Sequence, residues 1–280
     1  MLAGMQAGEA QLEGLAALFA RGAVAVLTGA GISTESGIPD YRGPETRRRA
    51  RNPIQFRDFL HRPEARLRYW ARSMIGWPKF MHARPNRGHT ALHALEQEGR
   101  LSGLITQNVD GLHTDAGSRS VVELHGSLRE VVCLACGTLH ERAWLQRELE
   151  ARNPNFGDAE LAPDGDADVE DERLERFELV HCTCGGALKP HVVFFGENVP
   201  RPRVDTAMEI LSGARALLVV GSSLAVYSGL RFVHAAKKRE IPVAILTLGT
   251  TRGDPDASLR IDARAGDTLT QLHALLSAPR

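Results

Sequence analysis

Ala23-Val24-Ala25-Val26-Leu27-Thr28 is an unbroken apolar run, and Gly29-Ala30-Gly31-Ile32-Ser33 follows it with no intervening residue. A short run without polar alternation suits a strand covered on both faces. Such a strand needs helices above and below, and the sequence supplies them. Leu12, Leu15, Leu18 and Phe19 recur at helical spacing before the run. His89 to Gln97 reads as a helix before Leu101 to Thr106, and Val204 to Leu211 precedes the apolar run Ala216 to Val220. Gly229 to Lys238 leads into Val243 to Leu246, and a helix from Thr268 to Leu276 follows. Helix alternating with buried strand predicts an α/β fold around a parallel sheet.

The alternation breaks between residues 131 and 190. All four cysteines fall there, and Asp158 to Glu178 carries ten acidic residues against two arginines. The expected organisation is a Rossmann-like domain from residues 1–130 and 191–280, with an inserted module at 131–190. The acidic stretch reads as a solvated face before it reads as a docking surface for basic peptides. Thirty-four basic residues balance thirty-four acidic ones, so no field for nucleic acid is present. Four cysteines in 280 residues are too few for a secreted disulfide scaffold and point to a local metal site. Met1 to Ala20 lacks the basic start of an export or transit signal, and no apolar run approaches the ~20 residues of a membrane span. The expectation is a cytoplasmic protein that binds neither membrane nor nucleic acid.

The glycine loop after the first strand lies where a nucleotide-binding α/β domain holds a pyrophosphate, because glycine lets backbone N–H groups approach it. Thr34 occupies the place of the third glycine of the full fingerprint, so the loop alone is weak evidence. Gln107-Asn108-Val109-Asp110 and Gly221-Ser222-Ser223 end two further buried strands. Ligands of open α/β sheets bind at that edge. Cys133-Leu134-Ala135-Cys136-Gly137 has zinc-knuckle spacing, but Cys182-Thr183-Cys184 is one residue short of the usual second pair. Two ligand sets fit: the four cysteines, or a set in which His181 replaces Cys182. Either is closed and tetrahedral, hence structural.

Several motifs, in order, resemble the sirtuins. They are Gly29 to Ser33 with Gly37-Ile38-Pro39-Asp40-Tyr41-Arg42, Thr106 to His113, Glu123-Leu124-His125-Gly126, the cysteine pairs, and Val192-Val193-Phe194-Phe195-Gly196-Glu197. The likeness runs from about residue 12 to about residue 275. Trp70-Ala71-Arg72, Gly76-Trp77-Pro78, Pro85-Asn86, Leu161 to Asp166 and Val226-Tyr227-Ser228-Gly229 look more narrowly like the class II branch, with its mitochondrial lipoamidase-type and bacterial members.

The resemblance implies an NAD-dependent protein-lysine deacylase, most simply a deacetylase. It would consume NAD as co-substrate and release nicotinamide and O-acyl-ADP-ribose. Gly29, Ala30, Gly31 and Ser33 would take the phosphates, with Tyr41 and Arg42 beside them. Ile38, Asp40, Gln107, Asn108, Val109 and Asp110 would hold nicotinamide and its ribose. Gly221, Ser222 and Ser223, then Thr247, Leu248, Gly249 and Ala265, would complete the adenosine side. Thr247 and Ala265 depart from the Asn and Cys frequent at those places. His125 would be the general base, supported catalytically by Asn108 and Asp110; imidazole suits that task near neutral pH. Cys133, Cys136, Cys182 and Cys184 would hold one structural zinc. An acylated peptide would bind as an extended strand between Val192 to Gly196 and the loop Gly221 to Ser228. The arginine-rich loop Gly43 to Asn52, shorter than in mitochondrial relatives, leaves acyl-chain preference open. The alternative within the family is protein mono-ADP-ribosyl transfer. A dehydrogenase is disfavoured by Thr34, and a non-enzymatic zinc-knuckle module by His125 and the neutral charge.

Overall fold

The computed structural model describes residues 6–40, 54–154, 156 and 174–278. Tyr41, Arg42, the loop Gly43 to Asn52, the motif Leu161 to Asp166 and most of the acidic stretch lie outside the described residues. In chain order the elements are α1 (Glu9–Phe19), β1 (Val24–Thr28), two 3-10 turns (Ala30–Ile32 and Thr34–Ser36), α2 (Phe56–His61), α3 (Pro63–His82), α4 (Arg87–Gln97), β2 (Leu101–Thr106) and α5 (Leu112–Asp115). There follow β3 (Val121–Glu123), β4 (Gly126–Cys133), β5 (Leu139–Glu141), α6 (Arg142–Arg152), β6 (Leu188–Val192) and α7 (Arg201–Ser212). The remainder is β7 (Ala216–Val220), α8 (Tyr227–Lys238), β8 (Val243–Leu246), a third 3-10 turn (Asp254–Asp256), β9 (Leu259–Ile261) and α9 (Ala265–Ser277).

Six strands form a parallel sheet in the order β3-β2-β1-β7-β8-β9. β1, β7 and β8 are buried along their whole length, because helices cover both faces. On one face α1, α4 and α9 contribute Leu15, Leu18, Leu92, Leu95, Leu269 and Leu272. On the other, α7 and α8 contribute Ala207, Leu211, Leu230, Phe232 and Val233. The chain winds one way from β1 to β3 and the other way from β7 to β9. The reversal therefore falls between β1 and β7, where such sheets open a ligand crevice at their carboxyl edge.

A second, three-stranded antiparallel sheet has the order β5-β4-β6. β4 pairs with β6 from Gly126 and Val192 to Cys133 and Leu188. One face of this sheet carries α6, and α3 docks against the same core. Trp70 Nε1 donates to the Leu188 carbonyl at 3.0 Å, and Trp77 Nε1 to that of Leu128 at 3.3 Å. Phe59, Trp70 and Met74 thus share one apolar cluster with Val131, Leu145, Leu149, Leu188 and Phe194. Among the described residues, no helix is long and apolar enough to cross a membrane.

Candidate active site and metal centre

β1 and β7 leave the sheet side by side, and their glycine turns touch. Gly29 N donates to the Val220 carbonyl at 3.0 Å, and Gly31 N to that of Gly221 at 2.8 Å. A Cβ on Gly221, whose φ is +62°, would lie 2.4 Å from Ile32 N; one on Gly31 would lie 2.8 Å from Gly221 Cα. Only glycine fits at either position. The amides of Gly29 and Gly31 already have protein acceptors, so the glycines here serve the close approach of two strand ends.

Three buried polar side chains sit beneath this loop. Asn108 Nδ2 donates to Ser33 Oγ at 3.0 Å and to the Gly29 carbonyl at 3.2 Å. Ser33 Oγ in turn donates to Asp110 Oδ2 at 2.7 Å, and Asp110 Oδ1 accepts from Leu112 N at 2.9 Å. Every donor in the chain finds an acceptor, which fixes the orientation of both the amide and the carboxylate. Asn86, the N-cap of α4, ties that helix to the same loop: its Nδ2 donates to the Ile32 carbonyl at 2.7 Å and to Ser36 Oγ at 2.9 Å. Behind the network, His113 Nε2 lies 2.9 Å from Thr28 Oγ1, and the His113 and His89 rings meet at 4.8 Å. Burial holds His89 at about 4 and His113 at about 3, so both are neutral.

His125 stands where the chain leaves the parallel sheet at β3 and enters the antiparallel sheet at β4. Its Nδ1 lies 2.9 Å from the Gln107 carbonyl, which can only accept, so Nδ1 carries the proton. Nε2 is therefore an acceptor, and it sits 2.8 Å from Ser228 Oγ, the donor of that bond. Burial lowers the pKa of His125; the Gln107 bond opposes this and the Arg203 charge adds to it. A neutral imidazole with a fixed tautomer and an accepting Nε2 is what proton abstraction needs. Gln107 also links the loops, since its Nε2 donates to Ser222 Oγ at 2.7 Å.

The remaining sequence candidates fall along the same edge. Ile38 is half-buried, and its N donates to the Ser33 carbonyl at 3.3 Å. Asp40 is half-buried. Ala30 opens the first 3-10 turn, and Ser223 is exposed beside buried Ser222. Val109 accepts Leu128 N at 3.0 Å and packs on the second core. Thr247 is buried at the end of β8, Leu248 is exposed, and Gly249 N donates to Asp262 Oδ1 at 3.1 Å. Ala265, buried, begins α9. The sequence reading did not single out Ser228 as a partner of His125, nor Asn86 as a brace for the loop. A polar residue shortly before a predicted helix start was the available signal for each.

The sulfurs of Cys133, Cys136, Cys182 and Cys184 all lie within 4.8 Å of one another. Cys133 and Cys184 are 3.5 Å apart, Cys136 and Cys182 3.8 Å. A tetrahedral ion with ~2.3 Å zinc–sulfur bonds spaces its sulfurs about 3.8 Å apart, so the cluster fits zinc. The short second pair works because Gly185, at φ +83°, lets its N donate to the Cys182 carbonyl at 2.8 Å. His181 is exposed and outside the cluster. His140 Nε2 approaches Cys182 Sγ at 3.5 Å and its ring stacks on Trp144.

The sequence model of the Sir2 family matches residues 29–228. The chain is 53% identical over 266 residues to "NAD-dependent protein deacetylase 1" of Streptomyces coelicolor, covering 94% of this chain and 89% of that protein. It is 49% identical over 251 residues to "NAD-dependent protein lipoamidase sirtuin-4, mitochondrial" of Bos taurus, covering 87% and 79%. Among solved structures, one described as "Sir2-p53 peptide-NAD+" superposes with a TM-score of 0.76 at 30% identity, covering 94% of this chain and 98% of that one.

Proposed function

This chain belongs to the Sir2 family, and we propose that the crevice between β1 and β7 carries out the family's reaction with His125 as general base. The protein is an NAD-dependent protein-lysine deacylase, and its substrates are acylated peptides or proteins. NAD, when bound, supplies the ribose carbon that accepts the acyl oxygen once nicotinamide departs.

The observation that carries the proposed roles is the fixed tautomer of His125. The Gln107 carbonyl holds its Nδ1 proton and leaves Nε2 to take one from a substrate hydroxyl. The chain Asn108, Ser33, Asp110 supplies the second part of the proposal. An oxocarbenium-like reaction needs an oriented, shielded leaving group more than a strong nucleophile. A buried amide and carboxylate beneath the loop suit a carboxamide and ribose hydroxyls. Gly29, Ala30, Gly31 and Ser33 would face the pyrophosphate; Thr247, Leu248, Gly249 and Ala265 would face adenosine, since β8 and α9 bring them to the same edge.

The four cysteines would hold a structural zinc that takes no part in acyl transfer, because four thiolates leave no open position. The partition at 131–190 belongs to the same proposal. It is supported by the two separate sheets, with the proviso that α2 and α3 share the module's core. A peptide strand between Val192 to Gly196 and the loop Gly221 to Ser228 is supported by the ties of both segments to the base: Val193 N donates to the His125 carbonyl at 2.8 Å, and Ser228 Oγ lies 2.8 Å from His125 Nε2. Membership of the class II branch is supported by the 49% identity to the lipoamidase-type relative. A cytoplasmic setting is supported by four cysteines that form no disulfide. The relative named as a deacetylase disfavours ADP-ribosyl transfer to protein as the main activity.

The test is a panel of acyl-lysine peptides read by mass spectrometry with and without NAD. The expected result is equal formation of nicotinamide, free lysine peptide and O-acyl-ADP-ribose. Label from NAD ending on protein instead would favour the transferase reading.

A further inference from the structure

The turn after β6 is held by a buried ion pair. Lys189 Nζ lies 2.9 Å from Glu197 Oε2, with side chains 5% and 21% exposed. The ammonium also donates to the Val192 carbonyl and sits 4.7 Å from the Phe194 ring centroid and 5.4 Å from that of Phe56. Glu197 completes the arrangement: its Oε2 accepts Phe194 N at 2.8 Å, and its own N donates to the Phe194 carbonyl at 3.0 Å. Two side chains and one amide therefore fix the backbone at Val192 and Phe194. The segment's next contact is the catalytic one, Val193 N to the His125 carbonyl.

The choice of lysine here is informative. The chain uses lysine four times against thirty arginines. The Lys189 ammonium meets a carboxylate, a carbonyl and two aromatic rings at once. Burial lowers the pKa of Lys189, and Glu197 pulls it back up, as expected of an ion pair shielded from water.

We propose that Lys189 and Glu197 are positioning residues for the acylated peptide: their ion pair sets the Val192 to Glu197 turn as the wall on which the peptide strand aligns, in register with His125. This inference rests on the reading of Val192 to Gly196 as one wall of the peptide-binding site. A merely structural pair would be replaceable by neutral groups of similar size without loss of substrate binding. A positioning pair would not, because the ammonium's hold on Val192 is lost with it.

The experiment uses the full chain with an acetyl-lysine peptide and NAD. Lys189→Met and Glu197→Gln each leave one buried charge without its partner and lower Tm; the double variant removes both charges and recovers Tm. In the double variant the peptide KM is expected to stay at least tenfold above wild type, with kcat and the NAD Kd within threefold. Lys189→Met alone, which loses the ammonium's hold on Val192 but keeps the Glu197 bond to Phe194 N, is expected to show the same split when assayed below its Tm. Hydrogen exchange of the wild-type protein separates the two levels of inference. Peptide with NAD should slow exchange across residues 192–197, and no slowing would overturn the strand reading itself. Slowing in the wild type with an unchanged peptide KM in both variants would overturn the role of the pair.

Discussion

The two sheets of this protein reach their stability by different routes. In the parallel sheet β1, β7 and β8 are buried end to end, and five helices close over both faces. The antiparallel sheet is small, and its β5 is largely exposed. It completes its core with α2 and α3, which precede it by some fifty residues in sequence, and with four clustered thiols. The first region is organised mainly by apolar burial; the second borrows a helix and brings together four cysteines that fit a zinc ion. His125 sits on the seam, so with His125 as the proposed base catalysis would need both regions in place, and only the second would draw on a metal.

The largest expected effect follows from that difference. Cys133→Ser should release zinc and loosen the cysteine module, because a structural zinc contributes ~10 kcal/mol or more to folding. Hydrogen exchange should show the loss confined to β4, β5, β6 and α6, with β1, β7 and β8 still protected. Equal loss in both sheets would erase the contrast drawn here. Cys182→Ala should lose the metal and His181→Ala should keep a full equivalent by metal analysis; the reverse would move the ligand set to the exposed histidine.

Next in size is the crevice. Asn108→Ala and Asp110→Asn each remove one member of the buried chain and should slow nicotinamide exchange about 10²-fold, the scale of losing one preorganised polar group at a reacting centre. Zinc content should not change. Wild-type exchange by both variants would place the nicotinamide pocket elsewhere.

The smallest effect is a pH dependence of the parallel-sheet region. His89 and His113 titrate near 6.5 in an unfolded chain but at about 4 and about 3 when folded. Below 6.5 the unfolded state binds more protons, so stability is full above that pH and is lost as pH falls toward the folded values. Each histidine should remove about 1.4 kcal/mol per pH unit in that window. Denaturant titrations at pH 7 and pH 5.5 check it, and His113→Gln should flatten the slope.

The same contrast governs what the sequence made legible. Unbroken apolar runs announced β1, β7 and β8, and the helices before them were readable from their spacing, since burial on both faces leaves a strong pattern. α2 and α3 were not readable in this way. Their role comes from Trp70 and Trp77 reaching carbonyls on strands far along the chain, which no local period encodes. At the site, Gly29 to Ser33, Asn108, Asp110 and His125 were legible as motifs. Their connection through Ser33 Oγ and the Gln107 carbonyl was not, because it depends on which strand ends the sheet order brings together. The short cysteine pair was ambiguous as spacing; the turn at Gly185 explains how it closes.

The most direct test of the central claim is a single comparison of His125→Ala with wild type, measuring NAD affinity and the rate of O-acyl-ADP-ribose formation on one acetyl-lysine peptide. Loss of a general base costs ~10² to 10⁴ in rate. The variant should lose that much activity while binding NAD within a few-fold of wild type. Undiminished product formation would contradict the assignment of the base, and with it the account of the seam between the two sheets as the catalytic centre.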